Sequence, residues 1–371
     1  MLVLFVACAP AETPDGGGGG GGGGWSDTDG GGLTGGGAGG TALGGGEGGG
    51  GAPLGGGEPL GGGAPSGGGG EAGGGDACAG VAAGTVPELA GKAATPLATA
   101  PDWTNGASYF LEGPVWADGA LYLSQLRTYG NQPPSRILRL NGANLEPFFA
   151  DAGTNGLAWD GTRLLGASHQ DFGIVAFTLE APVTKTLLVG RYGDAGFNSP
   201  NDLAVRADGN LYFSDPSYQC GSNCPQGAEH RRVYRVAPDG GVTTLPTQHH
   251  TPNGISLSPD QQTLYVAGSG PIEQYALSAE GAPGPRQQLA DVRGVDGMAI
   301  DCAGNVYAAV GAQQVLRVIT PAGTVLPDAI PVSGVSPTNA AFGGPARTTL
   351  YVTTFGNGLR AVELDVPGLP Y

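Results

Sequence analysis

Basic residues are scarce in this chain of 371 residues: 16 Lys and Arg stand against 32 Asp and Glu, a formal net charge of −16. Without a basic face the chain has no footprint for a phosphate backbone, which largely excludes nucleic acid as a partner. No stretch is long and apolar enough to span a bilayer as a helix. Long 3.6-residue periodicity is missing too, which argues against a helical core. No G-x-S-x-G elbow, P-loop, H-E-x-x-H or strand-linked G-x-G-x-x-G occurs in the part that can fold, so a serine hydrolase, a phosphate-loop enzyme and a zincin find no support. The cysteines do not form two close pairs at zinc-finger spacing, which argues against a structural zinc.

Glycine is abundant, with 74 residues, and half of it lies before residue 77. Residues 1–76 hold 37 glycines, eight acids and no Lys or Arg. Such a stretch buries too little apolar surface to offset its conformational entropy, so residues 9–76 are expected to form a disordered tether. Ahead of it, the apolar run Leu2 to Ala7 leads into Cys8, as at the end of a bacterial lipoprotein signal. Residues 1–8 are read as that signal, with a lipid anchor at Cys8 the only membrane attachment, and export is the expected destination. Residues 77–371 form the folding unit, expected to be monomeric. In an oxidising compartment Cys220 and Cys224 can close a small loop and Cys78 can reach Cys302, giving two disulfides.

Within the folding unit, short apolar runs alternate with Gly, Pro, Asp and Asn, the pattern of an all-β fold. The runs repeat. Leu121-Tyr122-Leu123, Leu211-Tyr212-Phe213, Leu264-Tyr265-Val266, Val306-Tyr307-Ala308 and Leu350-Tyr351-Val352 share one form, and Leu164-Leu165 holds the equivalent place without tyrosine. Each follows a turn signal and precedes another strand. A further strand before each turn opens at Glu112, Asn155, Asn201, Asn253, Asp296 and Asn339, with spacings of 43, 46, 52, 43 and 43 residues. Self-similarity at this period, with several strands per unit, predicts a six-bladed β-propeller closed by an N-terminal strand in the last blade.

The innermost strands of a propeller line its axis, so those six residues should ring one mouth of the channel. They offer carboxylate and carboxamide oxygens only, the chemistry of a hard cation such as calcium, and Glu112 and Asp296 balance a divalent charge. Taken singly, Asn155-Gly156 and Asn253-Gly254 read equally well as turns. His169 is expected at the rim or else on the surface. The His249-His250 pair lies near enough to Asn253 in sequence to reach the same mouth, although loop histidines are usually just solvated.

Together Leu111-Glu112-Gly113-Pro114-Val115-Trp116, Asn198-Ser199-Pro200-Asn201-Asp202-Leu203, Tyr212-Phe213-Ser214-Asp215-Pro216, Pro252-Asn253-Gly254 and Asp296-Gly297-Met298 resemble the gluconolactonase and regucalcin group of calcium-dependent six-bladed propellers, relatives of diisopropyl fluorophosphatase. The resemblance covers about residues 100–365. It implies Glu112, Asn253 and Asp296 as metal ligands, with Asn201 beside the metal as ligand or substrate contact. It also implies a hydrolase that opens a sugar lactone. In such a reaction Asp296 is the preferred base, although as a direct ligand it would be less basic and its role as ligand or base stays open, and Asn201, Asn155 and, from the rim, His169 are the expected substrate contacts. Other ester or phosphotriester hydrolysis is the runner-up, and a non-catalytic binding propeller with a structural calcium is a further alternative. The chain departs from the group at Ser124-Gln125, where members often have Ser-Asp, at Ser199, where the animal enzymes carry a substrate-binding arginine, and at Ser168-His169, where bacterial lactonases often have Glu-His.

Overall fold

The computed structural model describes residues 78–103, 109–127, 132–225 and 232–369. The signal expected at residues 1–8, with Cys8, and the tether expected at residues 9–76 lie outside the described residues. Six four-stranded antiparallel sheets follow one another along the chain. Blade 1 runs through Tyr109–Ala117, Ala120–Arg127, Ser135–Asn141 and Asn144–Phe149, and blade 2 through Thr154–Trp159, Leu164–Ser168, Gly173–Phe177 and Lys185–Val189. Blade 3 comprises Leu203–Val205, Leu211–Asp215, Arg232–Val236 and Val242–Leu245; blade 4 comprises Pro252–Leu257, Thr263–Gly268, Ile272–Leu277 and Pro283–Ala290. Blade 5 comprises Met298–Ile300, Val306–Val310, Val315–Ile319 and Ile330–Pro331.

Blade 6 takes three strands from the C-terminal end, Pro337–Gly343, Thr349–Thr354 and Gly358–Glu363, and its fourth from the N-terminal side, Thr95–Thr99, which pairs antiparallel with Gly358–Glu363. This strand exchange joins the two ends of the described chain and leaves no open array edge. The first strand of each blade packs beside the first strands of its two neighbours, and that of blade 6 returns to that of blade 1, closing a six-bladed β-propeller.

The repeated tyrosine explains the packing. Tyr122, Tyr212, Tyr265, Tyr307 and Tyr351 are each buried in a different apolar cluster between adjacent blades. Every such ring removes a large area from water at an interface that the blade cannot cover alone. Between blades 2 and 3 the equivalent residue is Leu165, and Phe197, Phe213 and Tyr234 fill the space it leaves, in edge-to-face and stacked pairs with centroids 4.9–5.3 Å apart. Two disulfides, Cys78–Cys302 and Cys220–Cys224, are formed. The first pins the start of the described chain to the turn between the first two strands of blade 5.

Four of the six axial residues sit where the first strands break register, and Asn201 and Asp296 lie just before theirs. Bulges interrupt pairing between Glu112 and Val115, Thr154 and Leu157, Pro252 and Ile255, and Pro337 and Asn339. A bulge of this kind re-aims a side chain. Asn155-Gly156 and Asn253-Gly254 are therefore strand residues and not turns. Their glycines serve close approach between blades: a Cβ on Gly156 would stand 2.6 Å from Asn201 O, and one on Gly254 would stand 2.6 Å from Asp296 O. Gly113, at φ +51°, is held in the same way against Asn155 and Gly156.

Candidate functional site

Two of the expected ligands meet at the axis, and the charge of one of them, Asp296, reaches a third, Glu112. Asn253 Nδ2 donates to Asp296 Oδ1 at 2.5 Å, tying blade 4 to blade 5. Glu112, from blade 1, is buried and receives only one backbone bond nearby, from Gly113 N to its Oε2 at 3.1 Å. Burial, followed by the charges of Asp296 and Asp202, holds the Glu112 carboxyl well above the usual carboxylate range, with the Gly113 N–H and the Asn339 amide opposing. Burial pushes Asp296 up to about 7; the Asn253 amide opposes this and the Asp202 charge adds to it. Asn253 and Asp296 remain partly open to solvent, so this side of the ring is accessible from the mouth.

Asn201, Asn155 and Asn339 complete the circuit. Asn201 O accepts from Gly156 N at 2.6 Å, and its own N–H donates to Ser214 O at 2.9 Å, which fixes the residue between blades 2 and 3. The approach to Asn201 is clamped by Asp215. Its carboxylate accepts from Asn198 N, Asn198 Nδ2 and Ser199 N at 2.9–3.0 Å, and burial nevertheless pushes it up to about 7. Asn339 in blade 6 bonds toward both Glu112 and Asp202.

Asp202 belongs to this group and escapes a reading that takes one residue per blade. Its Oδ2 accepts from Ile255 N and its Oδ1 from Leu203 N, both at 3.0 Å, and burial pushes it up to about 7. The available signal was positional: blades 1, 2, 4 and 5 place glycine directly after the axial residue, and blade 3 places Asp202 there. Below it the channel narrows to a cavity of about 90 Å³ with mainly apolar walls, among them Val115, Leu157, Leu203, Ile255 and Met298. The polar chemistry is thus concentrated at one end.

His169 is fully buried, which removes the surface alternative. Its Nε2 lies 2.7 Å from Pro133 O, and burial lowers its pKa to about 4. The His249-His250 pair does not join the site. His249 is buried in blade 4, where its Nδ1 accepts from Gly270 N at 2.9 Å, and His250 is exposed. Gln125 and Arg136 form a separate unit, with Arg136 Nε donating to Gln125 Oε1 at 2.7 Å and the guanidinium 5.0 Å from the Trp103 ring centre.

The donor set fits a hard cation. Its members are oxygens, and the charges that act on Glu112 and Asp296 are carboxylates alone, so the pair lacks a compensating positive charge. No cluster of three or more His, Cys, Asp or Glu side chains able to hold a metal stands among the described residues. Of the seven residues around the axis, four, Asn155, Asn201, Asn253 and Asn339, offer carboxamides.

Residues 93–356 match the family model described as the SMP-30/Gluconolactonase/LRE-like region. A gluconolactonase of Zymomonas mobilis is 29% identical over 285 residues, which cover 67% of this chain and 77% of that protein. The structure of a gluconolactonase from Xanthomonas campestris superposes with a TM-score of 0.61 at 32% identity, covering 74% of this chain and 92% of that one. A calcium-binding regucalcin of Agrobacterium tumefaciens shares the fold with a TM-score of 0.59 at 21% identity, over 75% of this chain and 95% of that one.

Proposed function

The chain belongs to the SMP-30/gluconolactonase family and is a lactone hydrolase, and from that premise we propose that it opens a sugar lactone by attack of water assisted by a divalent cation, calcium, held by Glu112, Asn201, Asn253 and Asp296. The observation that supports this reading is the Asn253–Asp296 contact between blades 4 and 5, with the buried Glu112 of blade 1 close enough to feel the Asp296 charge and both carboxyls displaced upward. Bound there, the cation would supply Lewis-acid stabilisation of the oxyanion that develops on the lactone carbonyl.

The protein's own groups do the rest. Asp296 offers one carboxylate oxygen to the Asn253 amide and keeps the other for the proton of the attacking water, so it serves as general base. Burial raises its basicity in the cation-free protein, and a cation bound beside it would lower that basicity again. Asn201 and Asn155 orient substrate oxygens from the blade 2 and blade 3 side, and His169 supports them from above. The test is hydrolysis of D-glucono-1,5-lactone followed by acid release. Activity should vanish with a chelator and return with calcium, and chelator-resistant turnover would refute the cation's role.

The location is likewise a proposal: an exported protein, held at the bacterial cell envelope through Cys8. The Cys78–Cys302 and Cys220–Cys224 disulfides support an oxidising compartment. Expressed with radiolabelled palmitate, the chain should incorporate label and fractionate with membranes, and Cys8→Ser should abolish both; equal labelling of the variant would refute the anchor.

A further inference from the structure

Two buried titratable side chains of blade 4, His249 and Glu273, take no part in the chemistry above. They are 0% and 1% exposed, and His249 Nε2 lies 3.8 Å from Glu273 Oε2. A carboxylate so far from water needs donors around it, and most of those of Glu273 come from one short run of chain. Its Oε2 accepts from Thr247 Oγ1 and from Tyr275 OH, both at 2.7 Å, and its Oε1 accepts from Gln248 N at 2.9 Å. His249 N donates to Thr247 Oγ1 at 3.1 Å. Glu273 thus fastens residues 247–249, and His249 lies four residues before Asn253.

His249 carries this anchor to the next turn of the chain. Its Nδ1 accepts from Gly270 N at 2.9 Å, so the ring proton sits on Nε2, which faces Val266 O at 3.3 Å. Burial lowers the pKa of the ring against the opposing Glu273 charge, which preserves the neutral form that Gly270 requires.

The turn at residues 268–270 stands between the approaches to two site residues. On one side Ser269 N donates to Thr251 O and Thr251 N to Ser269 Oγ, each at 3.3 Å, while Gly268 pairs with Pro252, directly before Asn253. A Cβ on Gly268 would collide with Thr251 O, so the two segments are in close contact. On the other side Gly268 O accepts from Gly294 N at 3.0 Å and from Val295 N at 3.3 Å, directly before Asp296. One turn therefore supports both partners of the Asn253–Asp296 contact.

We propose that His249, braced by Glu273, is a positioning residue for the lactone reaction: its Nδ1 bond to Gly270 sets the turn from which Asn253 and Asp296 are both aimed at the axis. This rests on the cation-assisted hydrolase reading and adds to it a support that touches neither substrate nor cation.

Two amide variants of the full chain separate the acceptor from the bulk of the ring. His249→Asn places an oxygen where Nδ1 stands, whereas His249→Gln places its amide where Nε2 stands and leaves Gly270 N without an acceptor. Calorimetric titration reads calcium affinity, initial rates on D-glucono-1,5-lactone at saturating calcium read kcat and KM, and amide hydrogen exchange of the calcium-free protein reads residues 290–297. His249→Gln should weaken calcium binding and lower kcat by about tenfold each, the range for a residue that orients a ligand, and leave KM within about threefold. It should also speed exchange at Gly294 and Val295 by about tenfold. His249→Asn should stay within about threefold of the native protein throughout. If His249→Gln does not fold, Ser269→Ala, exposed on the same turn, takes its place with an expected loss of calcium affinity of about threefold, and unchanged affinity there overturns the proposal. Native values in His249→Gln, equal losses in both amide variants, or faster exchange at Gly270 with Gly294 and Val295 unchanged also overturn it. A native lactonase with any of these outcomes loses only the positioning role, whereas a native protein that opens no lactone sinks the hydrolase reading and the duty of His249 with it.

Discussion

Asp296→Asn is expected to lower kcat on D-glucono-1,5-lactone by about 1000-fold, within the range for loss of a general base, while the propeller stays folded. The amide retains an oxygen for the Asn253 Nδ2 bond that joins blades 4 and 5. It also removes one of the two charges that act on Glu112, so without calcium the variant should melt higher than the native protein at pH 8. Initial rates at saturating calcium, together with melting curves, check both. A calcium titration then separates the two duties of the residue. An inactive variant that binds calcium normally has lost the base; one that no longer binds it has lost a ligand; and a variant keeping more than a tenth of the native rate would remove Asp296 from the mechanism.

The second large effect concerns pH. In the calcium-free protein, Glu112, Asp202 and Asp296 all have carboxyls displaced upward, the latter two to about 7. The unfolded values lie near 4, so between about pH 4 and 7 the folded state binds more protons than the unfolded state. Stability should therefore fall as pH rises through this window and level off above it. Asp215 and Asp301, raised to about 7 and about 6 away from the axis, add the same slope with or without calcium. The difference between the two melting curves isolates the axial group. Calcium should raise the melting temperature by about 10 °C at pH 8 and by little at pH 5, where the ligands hold protons. An effect of calcium that does not depend on pH would show that these carboxyls are not its ligands.

Much of the architecture was legible because it is repeated. One apolar run per blade, with a central tyrosine in five of the six, predicts the second strands, and the tyrosine works by filling the interface with the next blade. The strands expected after those runs include Gly173–Phe177, Arg232–Val236 and Ile272–Leu277. Closure by an N-terminal strand was expected because the segments flanking the six units must close the ring, and Thr95–Thr99 supplies it. The axial residues were read from the same period, and two of them, Asn253 and Asp296, are in contact.

What stayed hidden depends on partners far away in the chain. Asp202 contacts Ile255 of the next blade and His169 is covered by Pro133, separations of 53 and 36 residues that leave no local pattern. His249 looked like a loop residue because nothing in its neighbourhood tells of Gly270 and Glu273, which enclose it. The sequence by itself determined the number of blades, their strands and the oxygen-rich chemistry of the axis, since each blade carries its own copy of those instructions. Only the tertiary structure decided which side chains are buried and which carboxyls crowd one another, since burial and charge proximity arise only once the ring has closed.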